Sequence, residues 1–173
     1  MKELILGGVR SGKSRLAEQR AHASGFPVVF IATAMARGDA ELEARIQHHR
    51  ARRPPTWLTV EEPYSLGGAL AAHAAPERCV VLECLTLWLT NLLCSRPECL
   101  EAECRSLCTA LADARGAVIL VANEASLGVV PLGELSRRWL DVSGELHQRL
   151  AALCDRVTLT VAGLPWELKS PRS

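Results

Sequence analysis

Five short apolar runs recur along the chain, and segments of helix length separate them. "ELILGG", "PVVFIATA", "RCVVLECLT", "GAVILVANE" and "DRVTLTVAG" are each apolar or β-branched with little alternation. Runs of this kind predict strands buried on both faces, because a half-solvated strand would alternate apolar and polar positions. "SRLAEQRAHA" after the first run has helix-forming composition, and "LSRRWLDVSGELHQRLAALC" is the clearest long helix, with Leu135, Trp139, Val142, Leu146 and Leu150 three or four apart. Strands alternating with helices predict an α/β fold: three layers, with a mostly parallel central sheet flanked by helices.

Composition narrows the class. The chain has 173 residues, 49% hydrophobic, with a net charge of +1. It is long enough for one well-buried domain, and residues 1–173 read as one unit with a frayed polar tail from about 169. Near-neutrality gives no global field for nucleic acid, so a small anionic substrate is the more economical partner. "MKELILGG" is too short an apolar run for a signal peptide or membrane span, and a cytoplasmic protein is expected. The seven cysteines Cys79, Cys84, Cys94, Cys99, Cys104, Cys108 and Cys154 are odd in number and lack paired C-x-x-C spacing. Reduced, packed thiols are expected in preference to a disulfide framework or zinc.

The strongest chemical signal lies between the first strand and the first helix. "GGVRSGKS" comprises Gly7, Gly8, Val9, Arg10, Ser11, Gly12, Lys13 and Ser14, and fits G-x-x-x-x-G-K-[ST]. Its glycines let backbone N–H groups converge on phosphate oxygens, and the helix N-terminus adds positive potential. Lys13 would reach the β- and γ-phosphates, and Ser14 would offer a hydroxyl to Mg²⁺. A second oxygen ligand should come from another strand end, where "VVLECL" supplies Glu83. A strand-end carboxylate is about as often a helix cap or a surface charge.

"RIQHHRARRP" places His48 and His49 among Arg45, Arg50, Arg52 and Arg53. Asp39 can cap a helix here, and Pro54 disfavours continuation past Arg53. At about 100° per residue, Leu42, Ile46, His49 and Arg53 share one stripe and His48 turns away from it. A solvated helix end is the common fate of such a segment. Zinc and nucleic-acid readings are weaker, since adjacent histidines diverge and no aromatics interleave. The functional reading is covalent: an imidazole attacks the α-phosphorus of a nucleoside triphosphate, expels pyrophosphate and holds the nucleotidyl group, with arginines compensating charge.

These segments resemble the bifunctional adenosylcobinamide kinase/adenosylcobinamide-phosphate guanylyltransferases of cobalamin biosynthesis. "GGVRSGKSRLAE" is similar to the family's P-loop, "FIATA" to its second strand, "ARIQHHRARRPPTWLTVEEP" to its R-I-x-x-H-R-x-x-R-P segment, and "LECLTLWLTNLL" to its Walker B region. "VANEASLGVVP" is similar to its N-E-x-G-x-G-x-V-P segment, and "DVSGELHQRLA" to its D-x-x-G-x-x-N-Q helix. The resemblance implies a P-loop NTPase fold of RecA-like type and guanylylation at His49. It implies nucleotide contacts from the P-loop, from Ala32, Thr33 and Ala34, from Arg50, Ala51, Arg52 and Arg53, and from Glu61 and Glu83. GTP would be a co-substrate with Mg²⁺, with either ATP or GTP as phosphoryl donor; adenosylcobinamide and its phosphate would be acceptors. A homotrimer is also implied. Two positions depart from the pattern: Ser126 replaces a glycine and His147 replaces an asparagine, which leaves the acceptor side open. Trp57 and Trp88 fit either a corinoid surface or the core, with the core favoured. A monofunctional small-molecule kinase explains Gly7 to Ser14 equally well but leaves the histidine segment without a purpose. A GTP-dependent switch would need an N-K-x-D type of guanine readout, which is missing.

Overall fold

A computed structural model describes residues 1–35, 38, 40–51 and 53–171; within these, the side chains of Glu41, Leu42, Arg45, His48 and His49 lie outside the description. Seven strands form one sheet in the order β3-β2-β4-β5-β1-β6-β7. The strands are β1 (Lys2–Gly7), β2 (Val28–Ala32), β3 (Leu58–Glu61), β4 (Cys79–Glu83), β5 (Ala117–Asn123), β6 (Arg156–Val161) and β7 (Leu164–Lys169). All neighbours pair in parallel except β6 and β7, which form an antiparallel hairpin.

Six helices are described: α1 (Lys13–Ala23), α2 (Ala40–Ala51), α3 (Leu66–His73), α4 (Leu85–Ser95), α5 (Leu100–Asp113) and α6 (Glu134–Leu153). The strand residues divide between two cores, as the lack of alternation predicts. Leu4, Leu6, Val29, Ile31, Val80, Leu82, Val118 and Leu120 pack under α3 to α6. Ile5, Val28, Phe30, Val81, Ile119 and Val121 face the other way, against Ala17 and Ala21 of α1. No helix among the described residues is long and apolar enough to cross a membrane.

All five expected strands are present. β3 and β7 were not expected, for a physical reason: β3 is a four-residue edge strand, and β7 is an exposed edge strand containing Pro165. Lys169, grouped by sequence with the frayed tail, instead ends β7, and its Nζ donates to the carbonyls of Ala151, Ala152 and Cys154 at the end of α6. A lysine there satisfies carbonyls that the helix leaves unpaired.

The long helix is α6, with Leu146 and Leu150 buried and Trp139 and Val142 packed at the core edge. Leu135 belongs to the same stripe but is 53% exposed, as is the whole first turn of α6. Trp88 is fully buried and its Nε1–H donates to the Tyr64 carbonyl at 2.6 Å, so it is core. Trp57 packs on Phe30 with ring centroids 6.5 Å apart. Cys79, Cys104 and Cys154 are buried free thiols, and burial pushes Cys104 and Cys154 up to about 12.

Candidate nucleotide-binding site

Because the long strands are parallel, their C-terminal ends share one edge. Ala32 is in register with Glu83 on one side and Glu61 on the other, while Gly7 is in register with Asn123 and Thr160. This edge, at the carboxyl ends of an open parallel sheet, is where α/β proteins place ligands.

The loop from Gly8 to Gly12 leaves β1 here and feeds α1. Gly12 has φ +99°, a left-handed conformation, and a Cβ added to it would sit 3.1 Å from Gly163 Cα. Gly7 is held as tightly: a Cβ there would lie 2.8 Å from the Thr160 carbonyl oxygen. The turn of the β6–β7 hairpin, Ala162 and Gly163, has positive φ at both residues, as a two-residue primed turn requires. The Gly163 N–H donates to the Ser11 carbonyl at 2.9 Å, so the hairpin buttresses the loop from below. Gly8, Val9 and Arg10 remain exposed, with Arg10 at φ 56°.

Lys13 Nζ donates to the Gly8 carbonyl at 3.0 Å, folding the side chain back over the loop. Burial lowers the Lys13 pKa, opposed by Cys84 and Glu83. The Ser14 hydroxyl donates to Glu83 Oε1 in a short hydrogen bond. An alcohol and a carboxylate oxygen thus meet beside Lys13. Hard oxygen donors of this type suit Mg²⁺ that also takes phosphate and water ligands. The Walker B candidate and the P-loop serine, far apart in sequence, are brought together.

Beyond Glu83, the Cys84 N–H donates to Thr33 Oγ1 at 2.9 Å and Thr33 Oγ1 donates to the Cys84 carbonyl at 2.8 Å. Asn91 Nδ2 donates to the carbonyls of Thr33 and Pro63. Thr33 is fully buried, so its side chain braces the turn while Ala32 and Ala34 are half-buried at the edge. Half-buried Cys84, whose Sγ accepts from Leu87 N at the start of α4, is pushed up to about 11 by desolvation. It is a neutral thiol and a cap.

α2 carries the backbone of His48 and His49, whose side chains, with Arg52, lie outside the described residues. Among the described residues of this segment, Ile46 and Arg53 are half-buried, whereas Glu43, Ala44, Gln47, Arg50 and Ala51 are exposed. Both half-buried residues belong to the stripe that the sequence drew through His49. The Arg53 guanidinium stands 3.6 Å over the Phe30 ring, worth about 1–2 kcal/mol when partly desolvated. Burial lowers the Arg53 pKa, and the nearby carboxylates of Glu83, Glu18 and Glu61 act against that shift. Arg50 pairs with Glu61 at 3.3 Å, both exposed. Glu83 therefore acts electrostatically on Lys13 of the P-loop and on Arg53 after α2.

One cluster beside the P-loop was not legible as a unit. The Glu124 N–H donates to the Gly7 carbonyl at 3.0 Å, extending β5 pairing to the start of the loop. Its Oε1 accepts from the Ser126 N–H at 2.7 Å and from the Ser126 hydroxyl. Its Oε2 lies 4.0 Å from Nδ1 of buried His147. Burial lowers the His147 pKa, opposed by Glu124, so the imidazole is neutral at pH 7. Ser126 and His147 are the two departures noted in the sequence, and both meet Glu124.

Fold and site together define a P-loop nucleotide-binding α/β protein. Solved structures agree on the fold: a protein from Pyrococcus horikoshii aligns with a TM-score of 0.56 at 10% identity over 99% of this chain and 87% of its own. The RadB recombinase aligns at 0.52 and 18% identity over 91% and 73%. The family model described as cobinamide kinase / cobinamide phosphate guanyltransferase matches residues 3–168, and the chain belongs to that family. The bifunctional adenosylcobalamin biosynthesis protein CobP of Pseudomonas aeruginosa is 57% identical over 170 residues, 98% of each chain. CobU of Escherichia coli, of the same description, is 38% identical over 98% of this chain and all of its own.

Proposed function

We infer that this chain carries both activities for which its family is named. It phosphorylates adenosylcobinamide, then transfers GMP from GTP to the new phosphate, giving adenosylcobinamide-GDP and pyrophosphate. The observation that carries the reading is the meeting of Lys13, Ser14 and Glu83 at one strand edge, with Arg53 in the field of the same carboxylate.

For phosphorylation, the loop N–H groups and Lys13 hold the triphosphate, and Ser14 and Glu83 would hold Mg²⁺. Bound there, the metal would supply neutralisation of the charge that develops on the phosphates. For guanylyl transfer, His49 is the nucleophile. Its imidazole nitrogen bonds to the α-phosphorus of GTP as the bond to pyrophosphate breaks. The acceptor's phosphate oxygen then displaces the histidine. Arg50, Arg52 and Arg53 compensate phosphate charge in both halves, and Ala51 lies among them at the nucleotide contacts. Glu61, paired with Arg50 in the free protein, exchanges that partner for nucleotide, and Ala32, Thr33 and Ala34 shape the wall beside it. The half-buried stripe through Ile46 and Arg53 supports a site-facing role for this helix.

The active assembly in this reading is a homotrimer. Exposed Leu164, Trp166 and Leu168 on β7, and Leu127, Val129, Val130 and Leu132 before α6, offer apolar surface for subunit contact. Neither nucleic acid nor membrane is a partner in it. Incubation with adenosylcobinamide, GTP or ATP, and Mg²⁺, followed by mass spectrometry, tests the reading. Both adenosylcobinamide phosphate and adenosylcobinamide-GDP should appear. The phosphate alone would reduce the chain to a kinase, and neither product would overturn the assignment.

A further inference from the structure

A second cluster, centred on Glu124, adjoins the start of the P-loop. Glu124 follows β5, the strand between β1, which carries the P-loop, and β4, which carries Glu83. Its backbone N–H is bonded to the Gly7 carbonyl, and Lys13 Nζ is bonded to the next carbonyl, Gly8. The Glu124 backbone is thus fixed one strand spacing, about 4.8 Å, from the start of the phosphate loop.

The carboxylate is 15% exposed, and no lysine or arginine among the described residues forms an ion pair with it. Oε1 is occupied by two Ser126 donors. Oε2 faces His147 Nδ1 across 4.0 Å, too long for a hydrogen bond, so it retains lone pairs for another donor. His147 Nε2 is itself buried without a hydrogen-bond partner among the described residues. A half-enclosed carboxylate lacking a cation, beside a site for triphosphate, is repelled by its ligand unless it receives a proton or a metal. The chain continues from Glu124 into a groove of about 380 Å³ lined in part by Ala125, Val129, Leu135, Trp139 and Cys94. Ala125, the neighbour of Glu124, lines this groove, so an apolar acceptor bearing a hydroxyl has a surface next to the carboxylate.

We propose that Glu124 is the general base of the phosphorylation step, taking the proton of the acceptor alcohol on Oε2, with Ser126 and His147 as the residues that position it. The inference rests on the kinase half of the proposed function. The alcohol oxygen forms its bond to the γ-phosphorus as its proton moves to Glu124. The bond from the γ-phosphorus to the β–γ bridging oxygen breaks, and its electron pair leaves with the nucleoside diphosphate. Glu124 later returns the proton to solvent. Guanylyl transfer uses a phosphate oxygen already ionised and does not need this base.

The test compares the wild-type full chain with Glu124→Gln in two assays: phosphorylation of adenosylcobinamide, and GMP transfer to pre-formed adenosylcobinamide phosphate. Phosphorylation kcat should fall by about 100-fold or more at saturating Mg²⁺, with nucleotide KM within roughly twofold and GMP transfer retained. Glu124→Asp should recover part of the loss. Ser126→Ala and His147→Asn should lower phosphorylation kcat by on the order of 10-fold without raising nucleotide KM, since they act through carboxylate position. Equal loss of both activities, unchanged phosphorylation, or a defect cured by excess Mg²⁺ would each overturn the assignment; the last would make Glu124 a metal ligand. If the wild type phosphorylates no cobinamide, the functional reading itself fails. If the wild type is active and Glu124→Gln equally so, only this inference fails.

Discussion

The Ser14 hydroxyl donates a hydrogen bond to the Glu83 carboxylate across 69 residues of chain. The contact joins the first turn of α1 to the end of β4, although β5 lies between β4 and the strand that feeds the P-loop. In the proposed function it is the point where phosphate binding and metal binding would coincide. Glu83→Gln keeps the shape and removes the charge. It should lower both activities by about 100-fold and raise the Mg²⁺ concentration giving half-maximal rate, which a metal titration of initial rates measures.

The P-loop is held from behind by the β6–β7 turn. Gly7→Ala drives a methyl to within 2.8 Å of the Thr160 carbonyl oxygen, and Gly12→Ala adds a side chain at φ +99° beside Gly163. Each should cost about 1–3 kcal/mol of stability and weaken nucleotide binding, read from thermal melts with and without GTP. Gly8→Ala, where an added Cβ meets nothing within 4 Å, should cost markedly less stability.

Glu3 is fully buried in β1. It accepts from Thr158 Oγ1 at 3.0 Å and lies 3.8 Å from both Arg20 and Arg156. Removing it takes the carboxylate from Arg20 and leaves Arg156 only its pair with Glu167 at 2.8 Å. Glu3→Ala should destabilise by about 3–5 kcal/mol, measured by denaturant unfolding. Its residual folded fraction should bind nucleotide normally.

His147 ties stability to pH. Its folded pKa is lowered by burial, so below the ordinary value of 6.5 the unfolded chain binds a proton that the folded chain resists. Stability contributed by this site is therefore complete above pH 6.5 and falls as pH drops from there toward the depressed folded value. His147→Asn should flatten that part of a stability curve recorded between pH 8 and 5.

Sequence alone carried the parts in which one chemistry demands one local pattern. The buried strands read as continuous apolar runs, and Gly7 to Ser14 reads as an anion cradle because spacing and context agree. β3 and β7 escaped because exposed edge strands such as "LTVE" and "LPWELK" need no apolar pattern. The Glu83–Ser14 contact was expected from chemistry, but only the strand order brings the residues together. The Glu124 cluster was invisible as a unit, since His147 meets it only when α6 packs against the sheet. A serine two residues after a strand-end glutamate was the one local sign.

The most direct test of the account is the covalent intermediate. Incubated with GTP and Mg²⁺ without acceptor, the wild-type chain should gain one GMP on the peptide carrying His49, as an acid-labile adduct that adenosylcobinamide phosphate discharges to adenosylcobinamide-GDP. His49→Ala should form no adduct while still phosphorylating adenosylcobinamide. A GMP adduct of wild-type amount in His49→Ala, or adenosylcobinamide-GDP made by that variant at the wild-type rate, would contradict it.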